Sequence, residues 1–183
     1  MMRIGIENIS ITVRSWQSEG DFERFLETAE DAVQLADPQI EHGEAFFSLA
    51  IQSEPEGRVL WTVGVRAESH GILPEAIVVQ DTQQLVVAAD RTVHFLSLAT
   101  KTLQRSIGLD FLFHSFILDR ARSLVLVLHE AGLAAFSLDG VERWNLVRDL
   151  VDTVRLEGDR LQISFMDKAP VRIAIDSGRE VHA

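Results

Sequence analysis

Residues 3–14 read Arg-Ile-Gly-Ile-Glu-Asn-Ile-Ser-Ile-Thr-Val-Arg, so that Ile4, Ile6, Ile9, Ile11 and Val13 alternate with polar positions apart from one slip at Glu7-Asn8. Alternation of period two marks a strand with one buried face, and a slip within it calls for a bulge or a tight bend. The period then changes. Phe22, Phe25, Leu26, Ala29, Val33 and Ala36 recur at spacings of three and four, the stripe of an amphipathic helix. Ser18 suits the N-cap, Glu19 and Asp21 suit the positive end of the helix dipole, and Asp37-Pro38 supplies a stop. The pattern predicts a helix over about 18–36. Glu23, Glu27, Glu30 and Asp31 then fall on its outward face, where like charges one turn apart repel. Such a helix is held by docking its apolar stripe rather than by its own propensity.

From residue 45 onward the pattern is β almost throughout. Segments 47–52, 58–66, 76–80, 85–89, 93–98, 102–107, 115–118, 124–129, 133–138, 142–146, 153–157, 160–166, 171–175 and 180–182 are short runs rich in Val, Ile, Leu and Phe, parted by turn-forming residues. Segment 147–151 has room for a short helical turn. With no linker rich in Gly, Ser or Pro, the chain reads as a single domain of 183 residues. Within it, 1–75 form a strand, helix and strand subregion and 76–183 a repeated β part.

The repeat is visible in three segments. Gln84-Leu-Val-Val-Ala-Ala-Asp-Arg-Thr-Val-His-Phe-Leu-Ser-Leu98 aligns with 123–138 and with 160–175, each a strand, a polar turn and a strand, recurring at 37 to 39 residues. The second runs on into Asp139-Gly140-Val-Glu142-Arg-Trp144 and the third into Asp176-Ser-Gly178-Arg-Glu180-Val181. This ending resembles that of the β-propeller repeats of the quinoprotein and WD40-like type over residues 76–183. The first unit departs from it with Ala99-Thr100-Lys101, and only the second carries the closing Trp. The resemblance implies small antiparallel sheets that bury their apolar faces by stacking. Three units fall short of a closed ring. The expected fold is a β-dominated α+β protein in which repeated antiparallel hairpins form a partial propeller or an irregular β-sandwich beside one N-terminal helix. No quinone-binding or catalytic residue of that family carries over.

Charge adds one feature to this picture. Residues 15–57 hold eleven Asp and Glu against the single base Arg24, a local net of −10, while the rest of the chain holds 17 acids against 16 bases. A one-sided acidic region makes a directional field able to steer a basic partner. With pI near 4.9, general binding of nucleic acid is disfavoured, because phosphate contacts need clustered bases. The chain has no cysteine, which excludes disulfides and thiolate metal sites and, with no basic-then-apolar leader, predicts a cytoplasmic protein. The prevalence of Arg, 15 of the 17 bases, points to a GC-rich bacterial source. Apolar runs such as 124–128 are strand-sized, short of the roughly 20 residues a membrane helix needs, so no membrane partner is expected.

Motifs of catalysis are sparse. His42, His70, His94, His114, His129 and His182 form no compact ligand spacing, so neither a metal nor a cofactor is expected. His129-Glu130 ahead of Ala131-Gly132 reads as an exposed turn, and His94, between Val93 and Phe95, as pointing outward. The pairs Asp149/Asp152 and Glu157/Asp159 read as loop decoration. There is no Gly-x-Ser-x-Gly, no Ser-x-x-Lys and no Gly-rich phosphate loop. Of Trp16, Trp61 and Trp144, Trp61 between Leu60 and Val63 reads as core, and Trp144 near a repeat edge as an interface anchor. These observations lead to a non-catalytic protein-binding module, most concretely an immunity-type inhibitor that occludes a basic bacterial toxin. Its contact residues are expected to be Glu23, Glu27, Glu30, Asp31 and Trp144. The alternatives are a small hydrolase or ligand-binding enzyme with dispersed Asp, Glu and His, and a structural subunit of a larger assembly.

Overall fold

The computed structural model describes residues 2–6, 8–35, 44–68 and 70–181, with side chains from residue 8 onward. The expected helix stop at Asp37-Pro38, and both His42 and His182, lie outside the described residues. The chain divides into two compact units, Met1–Gly108 and Leu109–Ala183. The division follows the first repeat, whereas the sequence pattern changes near residue 75.

In the first unit, the strand β1 (Met2–Ile6) pairs antiparallel with β2 (Ile9–Trp16), Ile6 opposite Ile9. The slip in the N-terminal alternation thus falls between two strands. After β2 come the helix α1 (Glu19–Thr28), β3 (Ala32–Leu35), β4 (Ala45–Ser53) and β5 (Val59–Ala67). The sheet order is β1-β2-β4-β5-β3, antiparallel except for β3, which runs parallel to β5 from Ala32↔Thr62 to Leu35↔Val65. Strand β2, α1 and β3 therefore make a crossover that carries the chain over one face of the sheet.

Here the structure corrects the expected helix, which ends at Thr28 and not at 36. The Ala29 N–H closes the last turn on the Phe25 and Leu26 carbonyls, Ala29 itself is extended, and Asp31 reverses the chain at φ 53°. Val33, which continues the apolar stripe, lies on a strand. Its ladder partners on β5 satisfy a backbone edge that α1 could not have covered.

The sheet's alternation is clear from its burial. Ile11, Val13, Leu49, Ile51, Trp61 and Val63 turn to one side. There they share a core with Ala76, Val78, Leu85, Val87, Ala89 and Leu96 of a second sheet. That sheet is the meander β6 (Glu75–Val79), β7 (Gln84–Ala89), β8 (Thr92–Ser97) and β9 (Thr102–Gly108). Trp61 is 1% exposed, a core residue as its sequence neighbours imply. His94 is corrected: it is 2% exposed and its Nδ1 lies 2.8 Å from the Ser106 hydroxyl. All six residues of β8 are buried, so alternation along this strand does not separate inside from outside.

The second unit holds the sheet β10 (Phe113–Asp119), β11 (Leu124–His129), β12 (Gly132–Ser137) and β13 (Glu142–Val147). A three-stranded sheet follows, of β14 (Val151–Glu157), β15 (Arg160–Phe165) and β16 (Val171–Ala174). Leu126, Leu133 and Ala135 of the first share a core with Leu161, Ile163 and Ile173 of the second. The three aligned segments are the hairpins β7-β8, β11-β12 and β15-β16. Residues 147–151 hold no helical turn, since Val147 ends one strand and Val151 begins the next. In the 180–182 segment Glu180 makes one bridge to Ile173, and the Val181 N–H donates to the Arg172 carbonyl at 2.8 Å.

The closing Trp has a structural task. Trp144 is 8% exposed, and its Nε1 donates to the Ile175 carbonyl at 2.6 Å. Its indole lies so close to Gly178 that a Cβ there would sit 2.7 Å from the ring. The Trp of one repeat thus fixes the Gly turn of the next, and the expected exposed anchor is a core residue. His129 is likewise corrected, being 2% exposed as the last residue of β11, with its ring stacked on Phe111 at 5.5 Å. The two-residue turn falls on Glu130-Ala131, one position before the expected Ala131-Gly132, and His129 pairs with Gly132 in the ladder. Among the described residues no helix is long and apolar enough to cross a membrane.

Candidate functional site

The helix α1 begins where Ser18 leaves the extended region and its Oγ accepts the Asp21 N–H at 3.2 Å, the expected N-cap. Phe22 is fully buried beneath it. The helix approaches β5 at Gly64, where a Cβ would meet Leu26 Cδ1 at 2.5 Å and Phe22 Cζ at 3.0 Å. A larger residue there requires Leu26 to shift or the helix to lift.

The strand register places the rest. Trp16 pairs with Phe46, and Phe46 with Arg66, so these three form one cross-strand row under the helix. Phe22 packs on Phe46 at 5.6 Å, Phe25 on Trp16 at 4.6 Å, and the Trp16 Nε1 donates to Ser48 Oγ at 3.0 Å. The row joins an aromatic layer to a cation at one end. It is what the helix rests on.

At about 100° per residue, α1 presents two flanks on either side of Phe22. Glu19, Glu23 and Glu27 share one, and Asp21, Arg24 and Phe25 the other. On the acidic flank Arg66 binds both Glu19 and Glu23, the latter at 2.6 Å. Beyond the helix, Asp31 is held by Lys101 at 2.5 Å. On the other flank Arg24 binds Asp21 at 2.5 Å. Glu23, Glu27, Glu30 and Asp31 are therefore all exposed, as expected of a docking face, but two of them are already engaged by cations of the same chain. Among the described residues, Glu27 and Glu30 are the two of the four with no ion pair. Trp144 belongs to the other unit, inside its core.

The non-acidic flank holds a feature that the charge pattern conceals. A groove of about 640 Å³ lies between the end of β2 and α1, lined by Arg14, Ser15, Trp16, Gln17, Asp21, Arg24 and Phe25. The Arg14 guanidinium lies over the Trp16 indole, 3.9 Å from its centroid. The signal for it is Arg-x-Trp at the end of a strand, where residues two apart share a face. Arg14 falls just outside the acidic stretch, and Phe25 reads as part of the core stripe, so a count of charges passes over both.

One carboxylate of each pair read as loop decoration has a basic neighbour. Lys168 lies 3.5 Å from Asp149, and Arg160 3.7 Å from Asp159. Among the described residues no group of three or more His, Asp or Glu is placed to hold a metal ion. Burial pushes the His129 pKa below its ordinary value, against a hydrogen bond with Asn145 and the charges of Asp110 and Glu130, with His114 lowering it further. Its Nδ1 has no hydrogen-bond partner. The Ser137 hydroxyl, donating to Asp139, holds that turn carboxyl below its usual range.

No protein-family model matches the chain, and no curated protein matches it. Among solved structures it is similar to the dihydro-heme d1 dehydrogenase NirN, solved in complex with DHE. The TM-score is 0.56 at 14% identity, over 75% of this chain and 34% of that one. The chain thus spans about a third of the length of that protein. At this identity the likeness shows the fold alone, a propeller-like β architecture.

Proposed function

We propose that the protein is a non-catalytic binding module that engages a basic protein through the exposed acidic end of α1 and the turn that follows it, with Glu27 and Glu30 as the contact carboxylates. The observation that carries this reading is the pairing pattern. Arg66 and Lys101 neutralise Glu19, Glu23 and Asp31 from elsewhere in the unit, whereas Glu27 and Glu30 are exposed and have no ion pair among the described residues. An unpaired exposed carboxylate pair on a rigid support can answer a basic surface with little ordering of its own. The support is rigid because Phe22 is fully buried and Gly64 lets the helix sit close on the sheet. Glu23 and Asp31 take a supporting role, holding Arg66 and Lys101 in place.

Charge of this kind acts mainly on encounter, raising association rates towards about 10⁸ M⁻¹s⁻¹ at low salt. Inhibition of a basic toxin by occlusion is the most concrete form of the proposal, since covering a cationic substrate-binding surface needs no catalysis. The test is affinity capture with the intact protein and with E27K/E30K, beside the control reversal E142K on the other unit. Recovery of one basic protein by wild type and control, but not by E27K/E30K, supports the reading. Equal recovery by all three baits overturns it.

A further inference from the structure

The groove on the opposite flank of α1 goes beyond that reading and does not depend on it. Its floor is aromatic, Trp16 and Phe25 with centroids 4.6 Å apart and planes tilted by 32°. Its volume of about 640 Å³ falls within the range of small-molecule sites, roughly 300–1,000 Å³. The two cations at its rim differ in kind. Arg24 is 76% exposed and already neutralised by Asp21, and its Nε donates to the Gly20 carbonyl at 3.1 Å. Arg14 has no carboxylate within ion-pair distance among the described residues and is held instead by the Trp16 ring.

A guanidinium stacked on an indole is oriented but not discharged. Its N–H groups lie in its own plane, free to form the paired hydrogen bonds that a carboxylate accepts. A flat apolar group beside that carboxylate would cover Trp16 and Phe25. We infer that this groove binds a carboxylate attached to an aromatic or other flat apolar group, with Arg14 as the anion anchor and Trp16 and Phe25 as the apolar floor. Such a group can be a free small acid or the C-terminal residue of a peptide.

The site carries its own reporter, because Trp61 and Trp144 are 1% and 8% exposed while Trp16 is partly open to solvent. Trp fluorescence of the full chain is titrated with phenylacetate and with a tripeptide ending in Phe. Phenylacetamide and the C-terminally amidated tripeptide serve as uncharged counterparts. We expect saturable change with at least one carboxylate, and the stronger binder of the two identifies the source. The matching amide should bind at least about tenfold more weakly, and Arg14→Gln should weaken the carboxylate by a similar factor. Arg14→Lys should fall between, keeping the charge without the planar fork. Arg24→Gln should change binding by less than about threefold, since Asp21 already neutralises that charge. Absence of saturable change with both acids, equal binding of acid and amide, or binding unaltered in a correctly folded Arg14→Gln overturns the assignment.

Discussion

Gly64→Ala is the sharpest probe of how α1 is seated. The added Cβ would stand 2.5 Å from Leu26 Cδ1 and 3.0 Å from Phe22 Cζ, where carbon atoms in contact prefer about 3.5–4.0 Å. Leu26 must therefore give way by roughly 1 Å or the helix must lift from β5. Overpacking of this degree costs about 1–3 kcal/mol, and the reduced freedom of the unfolded chain returns about 0.4–1 kcal/mol. The expected net is a destabilisation of up to about 2.5 kcal/mol. Because the obstruction is chiefly one side-chain tip, Leu26→Ala in the same chain should relieve most of it. The double variant should then be more stable than the sum of the singles by about 1 kcal/mol. Urea unfolding followed by far-ultraviolet circular dichroism and by Trp fluorescence measures all four proteins. A clearly stabilising Gly64→Ala, or singles that add within about 0.3–0.5 kcal/mol, would refute the close seating of the helix.

Two further predictions concern the second unit. His129 is held neutral in the fold while the unfolded chain takes up a proton near the ordinary value of 6.5. Its contribution to stability is thus complete above that pH. It falls by about 1.4 kcal/mol per pH unit as pH drops from there towards the depressed folded value. His129→Gln should flatten this slope in denaturation curves from pH 7.5 to 5, and an unchanged slope would contradict the assignment. Gly178→Ala places a Cβ 2.7 Å from the Trp144 ring at φ 64°. The two effects together should cost about 2–4 kcal/mol, read from thermal or urea unfolding, and a loss below about 1 kcal/mol would contradict the packing.

The strands were legible because short Val, Ile, Leu and Phe runs parted by turn residues leave few other readings, and the cap at Ser18 was legible because its chemistry is local. The end of α1 was not. Val33 continues the stripe four residues after Ala29, and only the ladder with β5 draws it into a strand. His94 misled for a different reason: alternation identifies a face, and both faces of β8 are buried. Trp144 looked available because its partners, the Ile175 carbonyl and Gly178, lie more than thirty positions away. Arg66 and Lys101, which neutralise part of the acidic stretch, lie outside it and so escape a count made along the chain. What a charge count along the chain cannot see is which carboxylates have a cation across the sheet.

That distinction is what binding kinetics can decide. With the basic protein captured on the wild-type bait, association rates of wild type, E27K/E30K and E142K are measured from about 20 to 300 mM salt, a span over which screening becomes severe. The account predicts that E27K/E30K lowers the low-salt association rate at least about tenfold and flattens its salt dependence, with E142K close to wild type. An association rate for E27K/E30K equal to wild type across that range would contradict it.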